Sequence, residues 1–171
     1  MNINQNNFIV RPMTLADLKL AISWAANEGW NPGIDDANSF YVADPQGFLI
    51  GELNGEPRSC IYTVIYSQNF SFIGIYIVKP EWRKKGFGFK TWQEAFKLIN
   101  NQPAGLDAVL AQVNTYRKSG FQTAHHHLRY QGIIPGKISP DIQDLKTVDF
   151  EKICSYDRLY FPAQRLNFLK A

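Results

Sequence analysis

A chain of 171 residues has room for one domain with a proper hydrophobic core and not for two large ones. Its 45% hydrophobic, 14% aromatic and 19% charged residues, with no biased or repeating tract, exclude a disordered, fibrous or solenoid protein. A net charge of +3 is too small to indicate nucleic acid as a partner.

The polar, uncharged opening MNINQNN lacks the basic and apolar segments of a signal peptide, and the longest apolar run, FIGIYIV, is far too short for a membrane span. A cytoplasmic protein with no membrane partner is expected. FIVRPM, from Phe8 to Met13, reads as a strand. Thr14-Leu15-Ala16-Asp17 resembles a capping box with Asp in place of Glu, so a helix starts there. Leu15, Leu18, Ile22 and Ala25, at spacings of 3, 4 and 3, give that helix one apolar stripe, and Gly29 stops it. Residues 30–47, WNPGIDDANSFYVADPQG, mix Pro, Gly and Asp with aromatics and read as a lid-like loop with a helical turn in it.

FLIGEL, SCIYTVIYS and FSFIGIYIV are β-branched and aromatic runs separated by Asn54-Gly55-Glu56-Pro57 and by Gln68-Asn69, so three antiparallel strands in succession are expected. The third is apolar on both alternating faces and should be central and covered on both sides. Cys60 and Cys154 show no C-x-x-C or Cys/His spacing, which encodes neither a disulfide framework nor a zinc site. After a basic, glycine-containing loop, Phe89, Trp92, Phe96 and Ile99 predict a helix packed by one aromatic face. GLDAVL (105–110) reads as a short strand, AQVNTYRKSG as a short helix closed by Gly120, and FQTAHHHLRYQG (121–132) as a final strand. In that strand at most two of His125, His126 and His127 share a side, so ordinary strand histidines and no metal are expected. The element order describes an α+β sheet with helices over it. From 132 onward Pro135, Gly136 and Pro140 mark a linker before two short helix candidates, the second, FPAQRLNFLKA, with Pro162 near its start.

The loop between the third strand and the aromatic helix contains Gly86-Phe87-Gly88. A dinucleotide fingerprint would need a third glycine where Thr91 stands, and a phosphate P-loop would need Gly-Lys-Ser/Thr where Gly88 is followed by Phe89. Both nucleotide readings fail. A strand, a glycine turn and a helix start still favour an anion, because the first helical turn has free N–H groups and glycine allows close approach. Lys79, Arg83, Lys84, Lys85 and Lys90 against Glu81 give these twelve residues a charge of +4, more than that of the whole chain. A phosphate or pyrophosphate ligand and a solvated basic turn are the two readings.

VKPEWRKKGFG, from Val78 to Gly88, resembles the acetyl-CoA loop of the GNAT family of N-acetyltransferases, Arg/Gln-x-x-Gly-x-Gly/Ala, here Arg83, Lys84, Lys85, Gly86, Phe87 and Gly88. TYRKSGF, with Tyr116, Gly120 and Phe121, resembles the family's Tyr-x-x-x-Gly-Phe and follows Arg83 by 33 residues. The element order from Phe8 to about Tyr130 follows the family as well. GWNPG (29–33), DPQGF (44–48), GLDAV (105–109) and FPAQRLNFL (161–169) look like landmarks of a subgroup with a second, smaller domain. The resemblance implies a GNAT fold, a mixed, mostly antiparallel sheet with helices on both faces. It also implies an acetyltransferase domain over 1–131 and a linker with the beginning of a second domain over 132–171.

The resemblance further implies acetyl-CoA as co-substrate, with backbone groups at Tyr76, Ile77 and Val78 on the pantetheine and thioester and residues 83–88 on the pyrophosphate. Gly74 permits a bulge or close approach in that strand. A primary amine, on a small molecule or a peptide, attacks the thioester directly, and Tyr116 is the general acid for the departing thiolate, its other reading being a packing tyrosine. Where some relatives have a glutamate the chain has Phe72, which leaves the general base open, with Asp35, Asp36 and Glu52 as candidates. Val109 stands where many relatives carry a pantetheine-binding Asn. Trp24, Trp30, Phe40 and Tyr41 read as core, Trp30 being placed to line an acceptor pocket together with Asp35 and Asp36. A homodimer is left open, and the alternative function is a non-catalytic GNAT-like module that binds CoA or a partner.

Overall fold

A computed structural model describes residues 7–67, 69–133, 135–136 and 139–171. Most of the opening MNINQNN, Gln68 of the second predicted hairpin and three positions of the predicted linker lie outside them. Strand β1 (Phe8–Pro12) leads into helix α1 (Leu15–Asn27), whose start is a true capping box: Asp17 N–H donates to Thr14 Oγ1 at 3.2 Å and Thr14 N–H to Asp17 Oδ2 at 2.9 Å. The region read as a loop holds a two-turn helix, α2 (Asp36–Ala43), in which Ala37, Phe40 and Tyr41 turn one face to the core, a single repeat of the helical spacing set among Pro, Gly and Asp. Strands β2 (Phe48–Leu53), β3 (Glu56–Ser67) and β4 (Phe70–Val78) follow as the predicted antiparallel run, then helix α3 (Phe87–Ile99). The sheet order is β1-β2-β3-β4-β5, antiparallel except for β5 (Ala104–Leu106), which runs parallel to β4.

Both faces are covered. Leu18, Ala21, Trp24 and Ala25 of α1 and Ala37 of α2 pack on Phe48, Ile50, Cys60, Val64 and Ile77, while Trp92, Ala95 and Ile99 of α3 pack on Leu49, Ile61 and Ile73. Strand β4 serves both layers by a bulge. Cys60 pairs with Ile77 and Tyr62 with Gly74, so Ile75 and Tyr76 together oppose the single Ile61, and Ile75 takes a left-handed φ of 44°. Ile73 therefore faces α3, Ile75 and Ile77 face α1, and Tyr76 turns back onto Trp92 with ring centroids 5.3 Å apart.

Two predicted strands are corrected. Of GLDAVL only the first two residues lie in a strand, since β5 ends at Leu106, and 121–132 forms none. Strand character needs a partner ladder for the backbone, and among the described residues none lies beside 121–132. The three histidines are thus in an exposed extended segment and not in a sheet. Between β5 and that segment, helix α4 (Val113–Lys118) is shorter than the predicted 111–120. In the C-terminal region α5 (Phe150–Tyr160) is capped by Asp149, and the last helix, α6, spans only Leu166–Lys170, starting four residues after Pro162. Phe161 packs its ring against Tyr66, Phe70 and Phe72 at 5.0, 5.7 and 6.2 Å. Arg165, paired with Asp157, lies over Phe161 and Phe168, which fastens this segment to the end of the β3–β4 hairpin and to Phe40 of α2. Among the described residues no helix is long and apolar enough to cross a membrane.

Candidate active site

The β4–β5 ladder holds only Ser71, Phe72 and Ile73 against Ala104, Gly105 and Leu106. From Gly74 to Val78, β4 has no strand on its β5 side among the described residues, and the fork opens into a cavity of about 1140 Å³. Tyr76, Ile77 and Val78 form part of its wall. The volume exceeds the roughly 300–1000 Å³ of a pocket for one drug-sized ligand. Tyr62 of β3 lies across Gly74, where a Cβ would run into its ring, so only glycine fits beneath the phenol.

One end of the cavity is the glycine loop. A short 3-10 turn at Pro80–Trp82 leads to Lys84 and Gly86, with φ of 59° and 85°, and α3 starts at Phe87. Phe87 is fully buried against Phe8 and Trp82, with centroids at 4.9 and 5.6 Å, and this anchors the helix start. No side chain caps α3 at Gly86, so the N–H groups of its first turn have no capping acceptor. A Cβ on Gly88 would lie 2.8 Å from Tyr76 Oη and from Val78 Cγ2, so the backbone there is bare and close to β4. Arg83 donates its Nε–H to the Val78 carbonyl at 2.9 Å and pairs with Glu28 at the end of α1, bridging the two sides of the cleft.

Arg83, Lys84, Gly86 and Gly88 line the cavity. Phe87 does not, being buried, and Lys85 turns away to donate to the Glu81 carbonyl at 2.6 Å beside the Trp82 ring.

Tyr116 of α4 lies on the wall beside Val109 and Gln112, its ring 5.6 Å from Trp92 and 6.2 Å from Phe121. It is thus both a packed and a cavity-facing tyrosine, and burial pushes its phenol up, which keeps it protonated at neutral pH. The opposite end is formed by Trp30, Asp36, Phe40, Tyr62 and Phe72. Asp35 is the residue before α2 and is not on the wall, and Asp36 accepts the Gly33 N–H at 2.8 Å. Glu52 is buried away from the cavity in a cluster with Arg11 and Asp17. Arg129 of the extended segment donates to the Trp30 carbonyl at 2.9 Å and closes one side of the mouth. Tyr62, Asp107, Glu28 and Arg129 are wall residues that sequence reasoning missed. They reach the cavity from β3, the residue after β5, the end of α1 and the 121–132 segment, and only the tertiary fold brings them together.

Among the described residues no group of three or more His, Cys, Asp and Glu is placed to hold a metal. The family model described as Acetyltransferase (GNAT) family matches residues 16–121. The chain is 29% identical over 162 residues to holothin acyltransferase of Pseudoalteromonas sp. (strain SANK 73390), covering 94% of this chain and 55% of that protein. A crystal structure assigned as an acetyltransferase from Pyrococcus horikoshii superposes with a TM-score of 0.69 at 18% identity, over 99% of this chain and 62% of the other. An acetyltransferase from Clostridium acetobutylicum, solved with acetyl-CoA, gives a TM-score of 0.54 at 19% identity over 72% and 96%. The chain thus spans a little over half the length of the first two of these relatives.

Proposed function

Since the chain belongs to the acetyltransferase (GNAT) family, we propose that it transfers an acetyl group from acetyl-CoA to a primary amine on a small molecule or peptide. The observation that carries this reading is the fork between β4 and β5, which has an uncapped helix start at one end and an aromatic, carboxylate-bearing wall at the other. The first-turn N–H groups of α3, with Gly86 and Gly88 bare beside them, suit a pyrophosphate, and Arg83 and Lys84 add positive charge at the same place. The free edge of β4 at Tyr76, Ile77 and Val78 offers N–H and C=O groups to an extended pantetheine arm. It also offers donors to the oxygen that becomes negative when the amine attacks.

Acetyl-CoA supplies the activated acyl group. The chain's own work is to hold amine and thioester in one dry slot, which by itself can supply about 7–11 kcal/mol of the barrier. Tyr116, a donor at neutral pH, protonates the departing thiolate. The acyltransferase named from Pseudoalteromonas supports acyl transfer in place of binding alone. The second reading, a module that binds CoA without turnover, is favoured by Phe72 and Val109, apolar wall residues at positions where relatives carry an acid and an amide. Calorimetry with acetyl-CoA and a thiol-release assay over a panel of primary amines test both. Binding with release on addition of an amine is expected; binding without release for any amine selects the second reading, and absence of binding removes both.

A further inference from the structure

Three carboxylates stand on the cavity wall, Glu28, Asp36 and Asp107. Glu28 is engaged by Arg83, and Asp36 is tied to the Gly33 N–H. Asp107 follows the last paired residue of β5, and continuing the register Ile73 to Leu106 by one step sets it opposite Gly74. That is the point of the fork, one residue before the Ile75 bulge and beside the glycine covered by Tyr62. Its contact is an imidazole: His127 Nε2 lies 3.5 Å from Asp107 Oδ1, and the His127 ring lies 4.4 Å from that of His125. The His127 and Asp107 side chains are 67% and 72% exposed, so the carboxylate meets solvent directly at the cavity mouth with the imidazole beside it. Tyr62 Oη has no hydrogen-bond partner among the described residues, and burial pushes its phenol up, which leaves a protonated hydroxyl on the same wall.

We infer that Asp107 is the base that deprotonates the incoming ammonium, with His127 beside it as a positioning residue, an assignment that rests on the acetyl-transfer reading above. One proton passes from the ammonium nitrogen to Asp107 and leaves to water. The freed lone pair forms the C–N bond, the C–S bond breaks, and the thiolate takes the phenolic proton of Tyr116. The attacking nitrogen, positive after bond formation, gives up its second proton, which restores Tyr116 by way of solvent. The sum is acetyl-CoA and an ammonium giving an amide, CoA thiol and one proton.

The requirement for a base depends on the amine, and that makes the test selective. An alkylamine arrives as the ammonium at neutral pH, whereas an arylamine arrives neutral. The Asp107→Asn chain should keep acetyl-CoA affinity by calorimetry and lose about 100-fold or more in kcat/KM for alkylamines, the size of a general-base contribution. For arylamines it should lose less than about tenfold, since no ammonium has to be deprotonated. His127→Gln, a positioning change, should lower kcat for alkylamines and leave KM unmoved. Equal losses for the two amine classes, or alkylamine turnover by Asp107→Asn within about threefold of the parent, overturn the assignment while leaving acetyl transfer standing. A parent chain that binds acetyl-CoA and turns over neither class overturns both.

Discussion

Replacing Asp17 by Asn removes one charge from the cluster that ties β1, α1 and β2 together and leaves an acceptor for the Thr14 N–H. Arg11 Nη1 lies 2.8 Å from Asp17 Oδ2, and Arg11 Nη2 lies 2.5 Å from Glu52 Oε1. The hydrogen bond from Arg11 is the main cause that holds the Asp17 carboxyl at about 2, against 3.8 for an ordinary aspartate. A lowering of that size corresponds to about 2.5 kcal/mol of folding stability at neutral pH. The Arg11 side chain is 36% exposed, so solvent screening brings the expected loss to about 1–2 kcal/mol. With a urea slope of about 2 kcal/mol/M, that is a fall in midpoint of about 0.5–1 M.

Because the folded-state value is depressed, the contribution is present above about pH 4 and is lost as pH falls from there toward 2. Urea midpoints of parent and Asp17→Asn, measured at pH 7, 4 and 2.5, should therefore differ most at pH 7 and converge at the acid end. Equal midpoints at pH 7, or a gap that persists unchanged to pH 2.5, would refute the reasoning.

Tyr116→Phe keeps the packing on Trp92 and Phe121, so it should leave acetyl-CoA affinity within about twofold and lower kcat by about 100-fold, read by thiol release. Gly74→Ala drives a methyl into the Tyr62 ring and should cost about 1–3 kcal/mol in a denaturation curve as well as narrowing the cavity. Thr91→Val removes the 2.7 Å partner of Ser59 Oγ in the fully buried layer between α3 and β3, and an unmatched hydroxyl there should cost about 1–3 kcal/mol. Arg83→Gln frees Glu28 and removes charge beside the helix start. Its weakening of acetyl-CoA binding should shrink as salt is raised, seen by calorimetry at two ionic strengths.

The antiparallel run β2-β3-β4 and the starts of α1 and α3 are legible in the sequence because they rest on local signals: alternating β-branched residues, the Asn54-Gly55 turn, and the Thr14-to-Asp17 box. Helix α2 escaped because Ala37, Phe40 and Tyr41 give only one repeat of the helical spacing in a stretch flanked by Pro32, Gly33 and Pro45, and its packing on α6 is tertiary. The 121–132 segment has strand composition without a strand beside it, and composition cannot report whether a partner is there. The same division runs through the site. The Gly86–Gly88 loop and Tyr116 could be named because each belongs to a contiguous motif. Tyr62 and Asp107 come to one cavity wall through a β3–β4 ladder and the end of a β4–β5 ladder that no local pattern records.

The bulge at Ile75 is an insertion that can be undone. Every side chain after it already points where an uninterrupted strand starting from Gly74 would send it once one residue is taken out: Tyr76 toward α3, Ile77 toward α1. Deleting Ile75 would let Ile61 face Tyr76 alone, and both hydrophobic layers would keep their members apart from one partly buried isoleucine. The bend in β4 would go with the deleted residue, and with it the divergence from β5 that opens the fork. Removal of Ile75 should therefore leave a folded chain whose fork is closed.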